Sequence, residues 1–272
     1  MSGDRAGEEY WSKLWSVSDL PRPVDPADRS VRNYLRRRFV RYFDTHLLRA
    51  PAAGGRLIEV GCARSVWPSF FASARGLRVS GLDYSPVGCE QSRAMFVRDG
   101  VNGDIVQGDL FDPPAELRGA FDYVISFGVV EHFEDTVAAL RAMALLLAPG
   151  GRMYTLIPNQ IGLMGQVQKR LDRRFFDIHV PLDAEALRAA HERAGLTIRD
   201  AGYFMSTNFG VLNHSMVAHG SLGARVRGLV RAGFVALSVA VWVFEDLTGL
   251  ELPATRAWAP YAICVADRPE TA

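Results

Sequence analysis

From Leu57 onward the chain alternates short apolar runs with helical stretches, and that rhythm leaves few folds open. The runs are LIEV, starting at Leu57, then LRVSGLDYSP ending its strand at Asp83, and DIVQGDLF ending at Asp109. Phe121–Phe127, Gly151–Asn159, LTIRDAGYFM (to near Met205) and Tyr261–Asp267 follow. Helical segments fall between the earlier runs, at about 66–75, 86–99 and 135–147. Apolar strands joined by helical crossovers predict an α/β fold: a doubly wound, mostly parallel sheet of seven strands. In such sheets ligands sit at the carboxyl ends of the strands, near the switch point of the strand order. Function is therefore sought in the residues that close each strand.

The first strand closes in small residues at every second position, Gly61, Ala63 and Ser65, after an acid at Glu59. Only small side chains let a ligand come close to the backbone, so this loop reads as a nucleoside or phosphate cradle. The dinucleotide fingerprint wants glycines where this chain has Ala63 and Val66. Acids recur at the strand ends as Glu59, Asp83 and Asp109, with Asp83 about 20 residues beyond the loop, where a carboxylate can accept ribose hydroxyls. A pocket of carboxylates with Arg64 as its only nearby base suits a cation better than a pyrophosphate.

Taken together, EVGCARS, GLDYSP, VQGDLF, FDYVISFGVVEHF, LLLAPGGRMYTLIPN and EALRAAHERAGLTI resemble the class I S-adenosylmethionine (SAM) methyltransferases. Their E-x-G-x-G-x-G signature is carried here by Glu59 and Gly61, with Ala63 and Ser65 replacing its other two glycines. The resemblance implies an enzyme that converts SAM to S-adenosyl-L-homocysteine while methylating an oxygen or nitrogen of a small molecule. It also implies an antiparallel last strand. By the same resemblance Glu59, Gly61, Cys62 and Ala63 line the methionine end of the cofactor. Asp83 and Tyr84, with Ser85 beside them, hold the ribose; Asp109 and Leu110 hold the adenine; Ser126, Phe127 and Gly128 face the methyl group. Glu131 and His132 follow strand four in a V-x-E-H segment, with Glu131 facing the substrate. His132 either caps the turn or acts as general base, and His179, in the loop ahead of the helix capped by Asp183, is the second base candidate. Relatives in the ubiquinone pathway carry a metal-binding acid three residues before this glutamate. Gly128 stands there, so no metal is expected.

The flanks are expected to serve this core. Residues 1–50 read as an N-terminal helical cap, with Tyr10, Trp11 and Trp15 suited to a sulfonium or an adenine. The Arg36–Arg38 cluster reads as a solvated face, and His46 and His191 as surface residues. Residues 51–205 and 257–272 make the cofactor domain, and 206–256 a helical insertion that either contacts substrate (Tyr203, Asn208, Asn213, His214) or forms a sheet edge or homodimer face. Its uncharged run, 232–244, is short of the ~20 residues of a bilayer span, so a membrane is not expected. A net charge of +1 gives no reason to expect nucleic acid, and three scattered cysteines fit a reducing cytoplasm. The scarcity of lysine beside arginine reads as the codon bias of a GC-rich genome, and the resemblance implies bacterial specialised metabolism, such as antibiotic biosynthesis. The rivals are an NAD-dependent oxidoreductase, a SAM-binding protein without transferase activity, and a methyltransferase of lipid-like acceptors at a membrane surface.

Overall fold

The computed structural model describes residues 3–17, 19–49, 53–212 and 222–270. Its strands are β1 (Arg56–Val60), β2 (Arg78–Asp83), β3 (Gly103–Gln107), β4 (Phe121–Phe127), β5 (Leu147–Pro158), β6 (Thr197–Phe204) and β7 (Tyr261–Asp267). They form one seven-stranded sheet in the order β3-β2-β1-β4-β5-β7-β6. The first five strands are parallel, and β7 inserts antiparallel between β5 and β6, as the resemblance implies. The strand order reverses at β1, which opens a crevice over the carboxyl ends of β1 and β4.

The helices are α1 (Glu8–Ser16), α2 (Tyr34–Tyr42), α3 (Trp67–Arg75), α4 (Pro86–Asp99), α5 (Thr136–Ala144), α6 (Leu163–Leu171), α7 (Arg173–Asp177), α8 (Ala184–Arg193) and α9 (Leu222–Thr248). They cover both faces of the sheet. Ile58, Val60 and Val124 point to one side, against Leu140 of α5 and Leu187 of α8. Leu57, Ile125 and Tyr154 point to the other, against Phe39 of α2 and Phe71 of α3. Strands buried on both faces need apolar residues at consecutive positions, which is why the runs are apolar rather than alternating.

Several local expectations are revised. The residues read as an N-terminal cap divide in two. The segment from α2 through the π-turn Phe43–Leu47 is a layer of the sandwich, while α1 lies beside the crevice and docks on α4. Strand β3 stops at Gln107, so Asp109 stands in the loop beyond it. The stretch after β5 breaks into α6 and α7 because Asp172 leaves the helix and caps the next turn, accepting the Phe175 N–H at 3.1 Å. Arg38, expected in solvent, is buried and reaches the Tyr34 hydroxyl at 2.9 Å and Glu251 at 2.7 Å.

Helix α9 carries the insertion. Its segment Gly228–Thr248, longer than the run read from sequence, is long and apolar enough by length and composition to cross a membrane, alone in this among the described residues. One side is fastened to the domain. Ser238 accepts the Phe209 N–H at 2.7 Å, and the Trp242 indole donates to the Thr207 carbonyl at 2.9 Å. Glu245, fully buried, accepts from the Tyr34 hydroxyl at 2.7 Å, the Ser206 hydroxyl at 2.8 Å and the Leu252 N–H at 2.8 Å. On the other side Leu229 and Leu247 are exposed.

His191 is also corrected. It is buried between α8 and β5, its Nδ1–H donating to the Leu187 carbonyl at 2.8 Å while Nε2 accepts from the Thr155 hydroxyl at 3.0 Å. Burial pushes its pKa down to about 4. The unfolded chain takes up this proton near pH 6.5 and the folded chain only near 4. Stability present at neutral pH is therefore lost as pH falls through that window, by about 3 kcal/mol. Urea unfolding of wild type and His191→Gln across the window should give a steeper acid loss in the wild type. Parallel curves would remove His191 as the cause.

Candidate active site

The loop after β1 is shaped by two close approaches. Gly61 has φ +70°, and a Cβ there would lie 2.5 Å from Val129 Cγ2, so no larger residue fits. The Ala63 N–H donates to Asp83 Oδ2 at 3.0 Å, while Asp83 Oδ1 accepts the Ser85 N–H at 2.8 Å. One carboxylate thus ties the β1 loop to the start of α4. Ser85 caps that helix, accepting the Gly88 N–H at 3.1 Å, and its hydroxyl pairs with Ser12 of α1 at 2.8 Å. Burial pushes the Asp83 carboxyl up, and the amides of Ser85, Ala63 and Tyr84 pull it back. Arg64 sits in the left-handed region at φ 58°, a strained position for any residue other than glycine.

Above the strand ends opens a cleft of about 300 Å³. Gly61, Ala63, Asp83 and Tyr84 line one part, Phe127 and Gly128 another, and Glu131, His132 and His179 the far wall. Trp11 and Trp15 of α1 line it as well, their rings stacked at 5.4 Å, with Trp11 edge-on to His132 at 5.1 Å. A narrow recess lined by Asp109, Leu110 and Phe133 adjoins it, sharing Gly61 and Asp83. The acidic side chains lining the cleft are Asp4, Asp83 and Glu131, with no lysine or arginine among the described lining residues.

Three segments meet at the far wall through backbone bonds. The Arg5 N–H donates to the His132 carbonyl at 2.9 Å, and the Val180 N–H to the Glu131 carbonyl at 2.6 Å. The Arg5 guanidinium also donates to the His179 carbonyl at 3.1 Å. His132 Nδ1 lies 3.0 Å from the Ile178 carbonyl and His179 Nδ1 2.8 Å from that of Phe175. Carbonyls only accept, so each Nδ1 carries the hydrogen and each Nε2 is left with its lone pair. Burial holds His132 below the ordinary histidine range and, with His132 beside it, brings His179 down to about 3. Both rings are neutral at pH 7. Burial pushes the Glu131 carboxyl up to about 8.

The cleft and its recess thus gather Trp11, Gly61, Ala63, Asp83, Tyr84, Asp109, Leu110, Phe127, Gly128, Glu131, His132 and His179 from the residues read from sequence. Others do not line it. Glu59 is fully buried in the sheet beneath the loop; burial and the Asp83 charge raise it to about 8, and the Ser65 hydroxyl offsets part of this. Cys62 turns away and packs on Gly81. Ser85 and Ser126 are buried, the first spent on helix capping, and Tyr10 lies on α1 outside the lining. Tyr203 sits on the outer strand β6, and Asn208 donates to the Tyr261 hydroxyl at 2.7 Å while capping a short turn. Asn213 and His214 lie outside the described residues. Asp4, Phe133, Pro158 and Phe175 line the cleft without having been singled out. Phe133 and Pro158 stand inside the motifs FDYVISFGVVEHF and LLLAPGGRMYTLIPN, and Phe175 stands four residues before His179, whereas Asp4 had no signal in sequence.

Known proteins resemble this chain in sequence and fold. The family model described as "Methyltransferase domain" matches residues 32–201. The ubiquinone biosynthesis O-methyltransferase of Xanthomonas axonopodis pv. citri is 33% identical over 106 residues, 39% of this chain and 44% of that protein. The chain thus spans less than half the length of that relative. Phosphoethanolamine N-methyltransferase 2 of Haemonchus contortus, solved with SAM, superposes with TM-score 0.59 and 16% identity over 97% of this chain and 57% of that one. Geranyl diphosphate C-methyltransferase of Streptomyces coelicolor A3(2), solved with Mg²⁺, geranyl diphosphate and S-adenosyl-L-homocysteine, gives 0.57 and 14% over 96% and 98%. At these identities the two structures speak for the fold.

Proposed function

The chain belongs to the methyltransferase-domain family, and from that premise we propose that it transfers the methyl group of SAM to an oxygen of a small molecule. The observation that carries this reading is the acidic lining of the cleft: Asp4 and Asp83 line it, with Glu131 at the far wall, and no lysine or arginine stands among the described lining residues. A sulfonium cation gains from such a field, whereas the pyrophosphate of a nicotinamide cofactor would be repelled by it. In this reading Asp83 takes the ribose hydroxyls, the recess of Asp109 and Leu110 takes the adenine, and Gly61 and Ala63 admit the methionine end. Trp11 and Trp15 cover the cation.

Transfer is an in-line displacement. The acceptor oxygen attacks the methyl carbon, and the carbon–sulfur electron pair returns to sulfur, leaving a neutral thioether. The protein supplies alignment, which contributes about 7–11 kcal/mol. Glu131, His132 and His179 activate the acceptor hydroxyl from the far wall. A further pocket of about 100 Å³ behind His179, lined by Met164, Phe175, Val211 and Leu212 among others, accommodates an apolar part of the acceptor. Oxygen is favoured over nitrogen because the curated relatives reported above are O-methyltransferases. Those relatives are named for ubiquinone biosynthesis, which gives specialised metabolism no particular support.

Calorimetric titration with SAM and with NAD separates the readings. One SAM site per chain and no heat from NAD is expected; the reverse would overturn the proposal. With labelled SAM and a panel of hydroxylated acceptors, His132→Ala and His179→Ala should each lower turnover about 10²–10⁴-fold at unchanged S-adenosyl-L-homocysteine affinity. Full turnover in both variants would leave alignment alone as the source of catalysis.

A further inference from the structure

Glu131 and His132 come from the turn after β4, and His179 comes from the loop after α7. One ligand-capable atom from each lies within 4.8 Å of the other two. Both histidines have Nδ1–H fixed on backbone carbonyls, at 3.0 Å for His132 and 2.8 Å for His179. That leaves Nε2 as the donor of each ring, and a backbone carbonyl behind a histidine is the usual outer support of a metal ligand. Glu131 is 1% exposed, and neither carboxylate oxygen has a hydrogen-bond partner among the described residues. A buried carboxylate left without a donor is costly, and here two nitrogen lone pairs accompany it.

We infer that Glu131, His132 and His179 together bind one divalent transition-metal cation. Two imidazoles and one carboxylate match Zn²⁺, Fe²⁺, Mn²⁺ and Co²⁺, and suit Mg²⁺, which prefers an all-oxygen shell, poorly. The expectation of no metal counted only ligands adjacent in sequence. Gly128 indeed contributes none: its φ is +69°, and a Cβ there would sit 3.4 Å from Glu131 Oε1. The third ligand arrives instead from a separate segment, held by the Val180–Glu131 backbone bond at 2.6 Å. Tetrahedral ligands at ~2.05 Å stand about 3.3 Å apart, so binding draws the three side chains together.

The consequence for substrate rests on the methyl-transfer reading. The three residues line the cleft, so a metal they held would favour an acceptor that offers an oxygen. It would lower the pKa of a coordinated hydroxyl, so that the proton could pass to water before the oxygen attacks the methyl carbon.

The full chain, stripped with a chelator and desalted, is titrated with Co²⁺ while the visible ligand-field absorption is followed. One Co²⁺ per chain is expected, displaced by Zn²⁺. Glu131→Gln and His179→Gln should each weaken Co²⁺ binding at least about tenfold and alter the spectrum. Thermal unfolding and S-adenosyl-L-homocysteine titration of the same samples report whether each variant is folded. No Co²⁺ uptake by a folded wild-type chain overturns the inference, as does uptake that both folded variants match. Co²⁺ uptake through these residues without S-adenosyl-L-homocysteine binding upholds the metal site and removes the methyl-transfer reading.

Discussion

Asp83→Asn is expected to weaken SAM binding by about 10²–10⁴-fold while the sheet stays folded. The carboxylate already accepts two backbone N–H groups, from Ala63 at 3.0 Å and Ser85 at 2.8 Å. Its remaining lone pairs are the ones proposed for the two ribose hydroxyls. Hydrogen bonds to a charged group contribute about 1.5–3 kcal/mol each, and two of them give the range above. Asparagine keeps the shape but turns an N–H₂ toward an N–H or a hydroxyl, and it removes a negative charge from a cleft built for a cation. The β1 loop loses one of its fasteners as well, at a cost of about 1–3 kcal/mol in stability. Calorimetry with S-adenosyl-L-homocysteine, alongside thermal melts, separates the two effects. A Kd within threefold of wild type would exclude Asp83 from the cofactor.

The largest loss of stability is expected far from the cleft, in Glu245→Ala. This buried carboxylate gathers Tyr34, Ser206 and the Leu252 N–H, with the Arg38 guanidinium 3.6 Å away. Its removal leaves a buried arginine short of a counter-charge and three donors without an acceptor, which costs about 3–5 kcal/mol. In a domain of this size the melting temperature should fall by roughly 6–20 °C. Glu245→Gln, which keeps an acceptor in place, should lose distinctly less. Equal melting temperatures for Glu245→Ala and wild type would mean that α9 is held by its apolar contacts alone.

The sheet was legible because its information is local: the apolar runs at Leu57, Phe121 and Tyr261 end where β1, β4 and β7 form. Part of the cleft was legible for the same reason, since Gly61 follows β1, Asp83 closes β2 and Asp109 stands two residues past β3. What escaped depends on partners distant in sequence. Arg38 looked solvated because its acids lie more than 200 positions away, at Glu245 and Glu251. His191 looked like a surface residue because helical periodicity does not reveal that Thr155 will sit opposite. Asp4 entered the cleft through a bridge to Phe133, which nothing near residue 4 announces. Glu59 fitted the family signature, and the structure places it fully buried in β1, outside the cleft lining.

The joints that hold the far wall, Arg5 to His132 and Val180 to Glu131, run between main-chain atoms. Such joints are indifferent to the side chains at the positions they link. The side chains of Arg5 and Val180 can therefore be replaced while the backbone keeps Glu131 and His132 in register. Acceptor preference can diversify on this frame one substitution at a time, without the transfer chemistry having to be reinvented.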